Sequence, residues 1–157
     1  MIPSLLFMAI AVADAAPNPQ PSFDGYALGM TIAEAEAVPP SRKTFDCGRL
    51  MTSRCIVYER RLGQIAATVT VQFALDDRRI NQIEIVPKDK GERGGSACEA
   101  AWTGLVAALS DTYGEPQTRE GNTVRWRTGA MTLTATVLQE EDEFCDVAAS
   151  LTSADRR

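Results

Sequence analysis

SACEAAWTGLVAALSDTYGEPQTREGNTVRWRTGAMTLTATV, residues 96–137, is the stretch that decides the fold class. Ser96-Ala97-Cys98-Glu99 has the form of a capping box, in which a hydroxyl and a carboxylate satisfy the free amides that open a helix. Cys98, Trp102, Leu105, Val106, Leu109 and Tyr113 then recur at three- and four-residue spacing, which predicts one apolar helix face that must be buried. Gly114 supplies the left-handed stop and Pro116 cannot continue a helix. Beyond it, Val124 and Trp126 alternate with polar neighbours, and Met131, Leu133, Ala135 and Val137 alternate with Thr132, Thr134 and Thr136. This period of two predicts two half-buried strands joined at Thr128-Gly129-Ala130.

The rest of the chain repeats that design. Thr31-Ile32-Ala33-Glu34 is a second capping box, opening a helix of about two turns that Pro39-Pro40 ends. Strands are predicted over Lys43 to Cys47 and Cys55 to Arg61, with a turn at Leu62-Gly63-Gln64. Ala67, Val69, Val71, Phe73 and Leu75 alternate with Thr68, Thr70 and Gln72, which predicts the central strand. Asp76 to Arg79 is a polar turn. Ile80 to Val86 returns with Ile83 and Ile85 inward, and 87–95 is a polar loop into the main helix. A last strand, Phe144 to Thr152, puts Cys145, Val147, Ala149 and Leu151 on one side. The reading is α+β: an antiparallel sheet of about seven strands with two helices on one face, in the order α-ββββ-α-βββ.

Composition and charge bound the function. The 157 residues suffice for one domain with its own core. A formal net charge of -5 disfavours nucleic acid and anionic membranes as partners, and the basic pairs Arg42-Lys43, Arg60-Arg61 and Arg78-Arg79 form no continuous stripe. The absence of histidine removes Ser-His-Asp and Cys-His catalysis and His-ligated zinc together. The only dense acidic run, Glu140 to Glu143, lacks the alternating ligands and glycine of a calcium loop and reads as a solvated hairpin tip. No cofactor or metal is indicated.

Residues 1–13 are apolar, too short to span a bilayer, and followed by Ala13-Asp14-Ala15, a small-x-small cleavage pattern. This predicts a signal peptide over 1–15, a Pro-rich leader over 16–22, a single domain over 23–152 and a tail over 153–157. No basic residue precedes the apolar run, and no cysteine follows it to carry a lipid anchor. A periplasmic or secreted location is expected. Four cysteines in such a compartment predict two disulfides. Three connectivities exist; the preferred one joins Cys47 with Cys55 across a hairpin, since bridged α-carbons lie about 4.4–6.8 Å apart. Cys98 with Cys145 follows by elimination. The spacing lacks the Cys-x-x-Cys knuckle of a zinc site, and a helix-dipole thiolate at Cys98 would have no His partner.

Gly25-Tyr-Ala-Leu-Gly-Met-Thr31 followed by Glu34 resembles the Gly-Met-Thr-x-x-Glu opening helix of small bacterial envelope domains. These include outer-membrane assembly lipoproteins of the SmpA/OmlA kind and the β-lactamase-inhibitory-protein-like fold. Tyr113-Gly-Glu-Pro116 and Trp126 are similar to features of exported domains of this build. The resemblance implies a helix packed on an antiparallel sheet.

Three functions follow as expectations. The first is a non-catalytic module binding another envelope or secreted protein through a sheet face exposing Thr68, Thr70, Gln72, Arg125 and Arg127. The second, implied by the inhibitory-protein resemblance, is a hydrolase inhibitor using the loop Gly48 to Arg54. The third is a carboxylate hydrolase using Glu59 and Glu84 on adjacent strands.

Overall fold

The computed structural model describes residues 22–48, 53–88, 95–140 and 144–154; the side chains of residues 139, 140 and 144 are left aside. The expected signal peptide, residues 16–21 of the expected leader, residues 49–52 of the Gly48 to Arg54 segment, most of the acidic run and residues 155–157 lie outside the described residues.

A two-stranded hairpin, β1 (Ser22–Phe23) and β2 (Tyr26–Ala27), precedes the helix α1 (Ile32–Glu36). Four strands follow: β3 (Phe45–Cys47), β4 (Ser53–Leu62), β5 (Ile65–Phe73) and β6 (Ile80–Pro87). The second unit is α2 (Ser96–Tyr113), β7 (Thr118–Glu120), β8 (Thr123–Thr128), β9 (Met131–Glu140) and β10 (Phe144–Ser153). The large sheet runs β3-β4-β5-β6-β10-β9-β8-β7, every pair antiparallel. Each unit is therefore a helix followed by a four-stranded meander, and the two meanders join through their last strands.

The register explains the core. Inward residues line up across six strands, Tyr58–Val69–Ile85–Ala149–Ala135–Val124 and Ile56–Val71–Ile83–Leu151–Leu133–Trp126. Against them pack Cys98, Ala101, Leu105, Val106 and Leu109 of α2, with Ala35 of α1 in the same buried cluster. The three- and four-residue spacing of those α2 positions is what aims them at one face. Fully burying a Leu, Ile or Val contributes about 1.5–3 kcal/mol, so this layer dominates the stability.

Several expectations need correction. The sheet has eight strands and a separate hairpin, because β7 is short and exposed and β1 and β2, though largely buried, are only two residues each, too short to show an alternating pattern. The middle of the sheet is the β6–β10 pair; β5 is interior but third from an edge. The Thr31 capping box is present in full, yet α1 is only five residues long. At α2 the N-cap is Gly95, at φ 92, and no side chain caps it. Ser96 is already helical, and the Glu99 amide donates to the Gly95 carbonyl at 3.1 Å. The glycine takes an angle open to few other residues and so shifts the helix start by one. The stop is as expected: Gly114, at φ 80, donates to the Ser110 carbonyl.

Close approach of α2 to the β4–β5 turn demands a small residue. A Cβ added at Gly104 would meet Ile65 Cγ2 at 2.6 Å. Gly to Ala inside a helix ordinarily stabilises by about 0.5–1 kcal/mol, whereas overpacking costs about 1–3 kcal/mol. Gly104→Ala is therefore expected to lower stability by about 1 kcal/mol in denaturant unfolding, and Gly104→Ala with Ile65→Ala to recover the helix gain relative to Ile65→Ala alone.

α1 is tied to the segment that leads into β3 by a carboxylate. Glu36 Oε1 accepts from the Thr44 amide and hydroxyl, both at 2.9 Å, and Oε2 from Lys43 at 3.0 Å. The Thr44 amide first, then Lys43, holds the Glu36 carboxyl down at about 2, against an ordinary 4.5. A depressed carboxyl stabilises above its unfolded value, and the gain is lost as pH falls from 4.5 toward about 2. Melting temperatures of the wild type and Glu36→Gln should thus differ at pH near neutrality and converge as the solution is acidified through that window.

Candidate functional site

Alternation that points one set of side chains at α2 points the other set away, and the shared register assembles that second set into a single surface. One row, Val57–Thr70–Glu84–Ser150–Thr134–Arg125–Thr118, crosses seven strands. A second, Phe45–Cys55–Gln72–Gln82–Thr152–Thr132–Arg127, lies beside it. The strands supply mostly hydroxyl and amide groups, at intermediate burial in the middle of the sheet. Neighbouring side chains about 4.5–5.5 Å apart across the strands account for that partial burial. Among the described residues no helix or strand lies over this face. Thr68, Thr70, Gln72, Arg125 and Arg127 all stand on it.

Charge on the face is carried by separated groups, Glu59, Arg61, Glu84, Arg125, Arg127 and Asp146. Glu59 is bound by Lys88, and Arg125 reaches Glu120 at 3.3 Å. Glu84 sits near the centre of the face, among hydroxyl and amide side chains, with no ion-pair partner among the described residues. Glu59 and Glu84 are not on adjacent strands: β5 stands between β4 and β6, so they are two strand spacings apart, about 10 Å before their offset along the strands. A retaining hydrolase holds its two carboxyls about 5–5.5 Å apart. This pair does not form that constellation, and Glu59 is already occupied by Lys88.

At the edge of the sheet the bridge between Cys47 and Cys55 stands on the open face, with α-carbons 5.9 Å apart. It closes the hairpin whose tip, residues 49–52, lies outside the described residues. The bridge between Cys98 and Cys145, α-carbons also 5.9 Å apart, joins α2 to β10 within the core. Cys98 is thus no thiolate.

A polar cluster that the sequence analysis does not bring together lies on the helix side of the same edge. Asp24, at φ 51 in the β1–β2 turn, accepts from the Tyr58 hydroxyl at 3.1 Å and pairs with Arg60 at 3.2 Å. The Arg42 guanidinium lies 4.1 Å over the Tyr58 ring and donates to the Tyr26 hydroxyl. Burial, with the Asp24 charge added to it, pushes the Tyr58 hydroxyl far up, and the same two causes raise Tyr113 to about 12. Both phenols stay protonated at any physiological pH, so they act as donors and not as bases. The cluster clamps the N-terminal hairpin onto β4. The basic pairs dissolve accordingly: Arg42 and Arg60 belong to this clamp, Lys43 to Glu36, and Arg79 donates to the Gly29 carbonyl. Only the Asp-Gly turn at Asp24-Gly25 hinted at it, since aspartate tolerates the left-handed region better than most residues.

No described helix is long and apolar enough to cross a membrane, and among the described residues no group of three or more Cys, Asp or Glu is placed to hold a metal ion. Comparison with protein-family models, with curated proteins and with solved structures finds no match to this chain.

Proposed function

We propose that the chain is an exported, non-catalytic binding module that engages another envelope or secreted protein through the open face of its sheet. The observation that carries this reading is the uncovered row Val57–Thr70–Glu84–Ser150–Thr134–Arg125–Thr118, a seven-strand surface of adaptable hydrogen-bonding groups on a rigid support. Sites built on strands hold their geometry better than sites on loops. Export is supported by the apolar N-terminal run and by two disulfides, which persist in oxidising compartments. The resemblance of the Gly-Met-Thr turn to envelope domains points the same way.

Capture from extract of the oxidising compartment tests it, with the wild type and Ser150→Arg as parallel baits. Ser150 is flanked by Glu84 and Thr134, so an arginine there disturbs the centre of the face while the core behind it is untouched. A protein retained by the wild type and lost by a Ser150→Arg bait of unchanged melting temperature supports the reading. Equal retention by both baits, or none by either, contradicts it.

A second reading, a hydrolase inhibitor, is favoured by the presence of the bridge between Cys47 and Cys55, which braces the base of a loop against the entropy of ordering it on binding. Inhibition of a panel of secreted hydrolases that disappears on Cys47→Ser would support it over the face.

A further inference from the structure

The two edges of the large sheet are finished differently, although the two units are built alike. In the second unit the outer side of β8 is covered. β7 pairs with Thr123 to Arg125, the Gln117 amide donates to the Arg125 carbonyl, and the Gln117 side chain accepts from the Arg127 amide. In the first unit β3 pairs only with Ser53, Arg54 and Cys55. From Ile56 to Leu62 no described strand or side chain takes the outer backbone groups of β4.

Which groups those are follows from the ladder. The Lys88 amide donates to the Ala66 carbonyl, so even-numbered residues of β5 turn their backbone groups toward β6 and odd-numbered ones toward β4. With Ala67 opposite Arg60, the odd-numbered residues of β4 turn theirs outward. Val57, Glu59 and Arg61 thus present a row of free N–H and C=O groups, and their side chains are exposed. A long open edge is a template for another strand.

We propose that this edge pairs with the same edge of a second copy of the chain, antiparallel about a two-fold axis at Arg60, so that two sheets become one. Charge selects both the occupant and the register. A two-fold axis perpendicular to the sheet keeps like faces together, so it must pass through a residue. Centred on Arg61, it sets two guanidiniums without partners among the described residues directly opposite, which destabilises; centred on Glu59, it sets two carboxylates opposite and leaves Arg61 facing Val57 with no counter-charge. Centred on Arg60, it sets Glu59 of each copy, whose Oε1 holds Lys88 of its own chain, opposite Arg61 of the other on the open face, twice by symmetry, with Oε2 left to accept from the guanidinium. Arg61 has no other partner among the described residues, and the charge of Arg60 at the axis is offset within its own copy by Asp24, 3.2 Å away. The open face stays free, and the dimer carries two of them side by side. A charged edge that merely repels other strands is the competing state, and it is monomeric.

Sedimentation velocity of the full mature chain over a concentration series decides between them, with Glu59→Arg, Arg61→Glu and the double exchange as variants. The expected result is a concentration-dependent dimer, weakened about tenfold or more by either single exchange and restored by the double one. Both side chains are exposed, so all three variants should fold, and their melting curves check this. A chain that stays monomeric throughout, a dimer indifferent to the single exchanges, or one that the double exchange fails to restore overturns the proposal.

Discussion

Replacing Cys98 and Cys145 together by alanine is expected to lower the unfolding free energy by about 4 kcal/mol, and replacing Cys47 and Cys55 by about 2.5 kcal/mol. The difference comes from loop closure: the first bridge spans 47 residues and the second 8, and the entropy removed from the unfolded chain grows with the logarithm of that span. Position adds to it. The Cys98–Cys145 bridge lies inside the core between α2 and β10, so its loss also leaves unfilled volume. The Cys47–Cys55 bridge ties a three-residue edge strand to its neighbour. Against a typical total of about 5–15 kcal/mol, only the first loss threatens the fold at physiological temperature. Equilibrium unfolding in guanidinium under oxidising conditions measures both; a larger loss from the edge bridge would show that the entropic ranking is wrong.

Trp126→Ala is expected to cost about 3–5 kcal/mol, as large a loss as any single substitution in the sheet. Trp126 is fully buried at the end of the inward row Ile56–Val71–Ile83–Leu151–Leu133, and its indole Nε1 donates to the Gly114 carbonyl at 2.9 Å, binding the C-terminus of α2 to β8. Packing is the larger part. Gly114 is exposed, so water can replace the lost donor, and the hydrogen bond contributes only about 0.5–1.5 kcal/mol. Trp126→Phe, which keeps most of the ring but not the donor, should accordingly cost about 1–2 kcal/mol. Equal losses from both substitutions in denaturant titrations would put the hydrogen bond, and not packing, in control.

These two sites were within reach of the sequence because each depends on a period. The helix spacing from Cys98 to Leu109 and the alternation about Val124, Leu133 and Val147 record burial directly, and the cysteine pairing needs only a hairpin and a remainder. What the sequence hides depends on strand order. Glu59 and Glu84 look like neighbours until β5 is placed between them. The Asp24 clamp joins residues 34 positions apart through a turn of unusual angle, and nothing at Tyr58 or Arg60 marks them as its partners. β7 leaves no trace because Thr118, Arg119 and Glu120 are all exposed, so burial imposes no pattern on them. The open face is half legible: Thr68, Thr70 and Gln72 declare themselves polar and outward, but only the β6–β10 junction shows that they share one surface with Thr132, Thr134 and Arg125.

The most direct test of that surface as the working part of the protein is site-specific photocrosslinking in the cell that makes it. A photoreactive side chain is placed at Thr134, in the middle of the open face, and in a separate variant at Asp111, exposed on α2. A discrete protein adduct from the Thr134 position and none from Asp111 is the expected result. An adduct from Asp111 alone, or none from Thr134, would contradict a binding role for the open face.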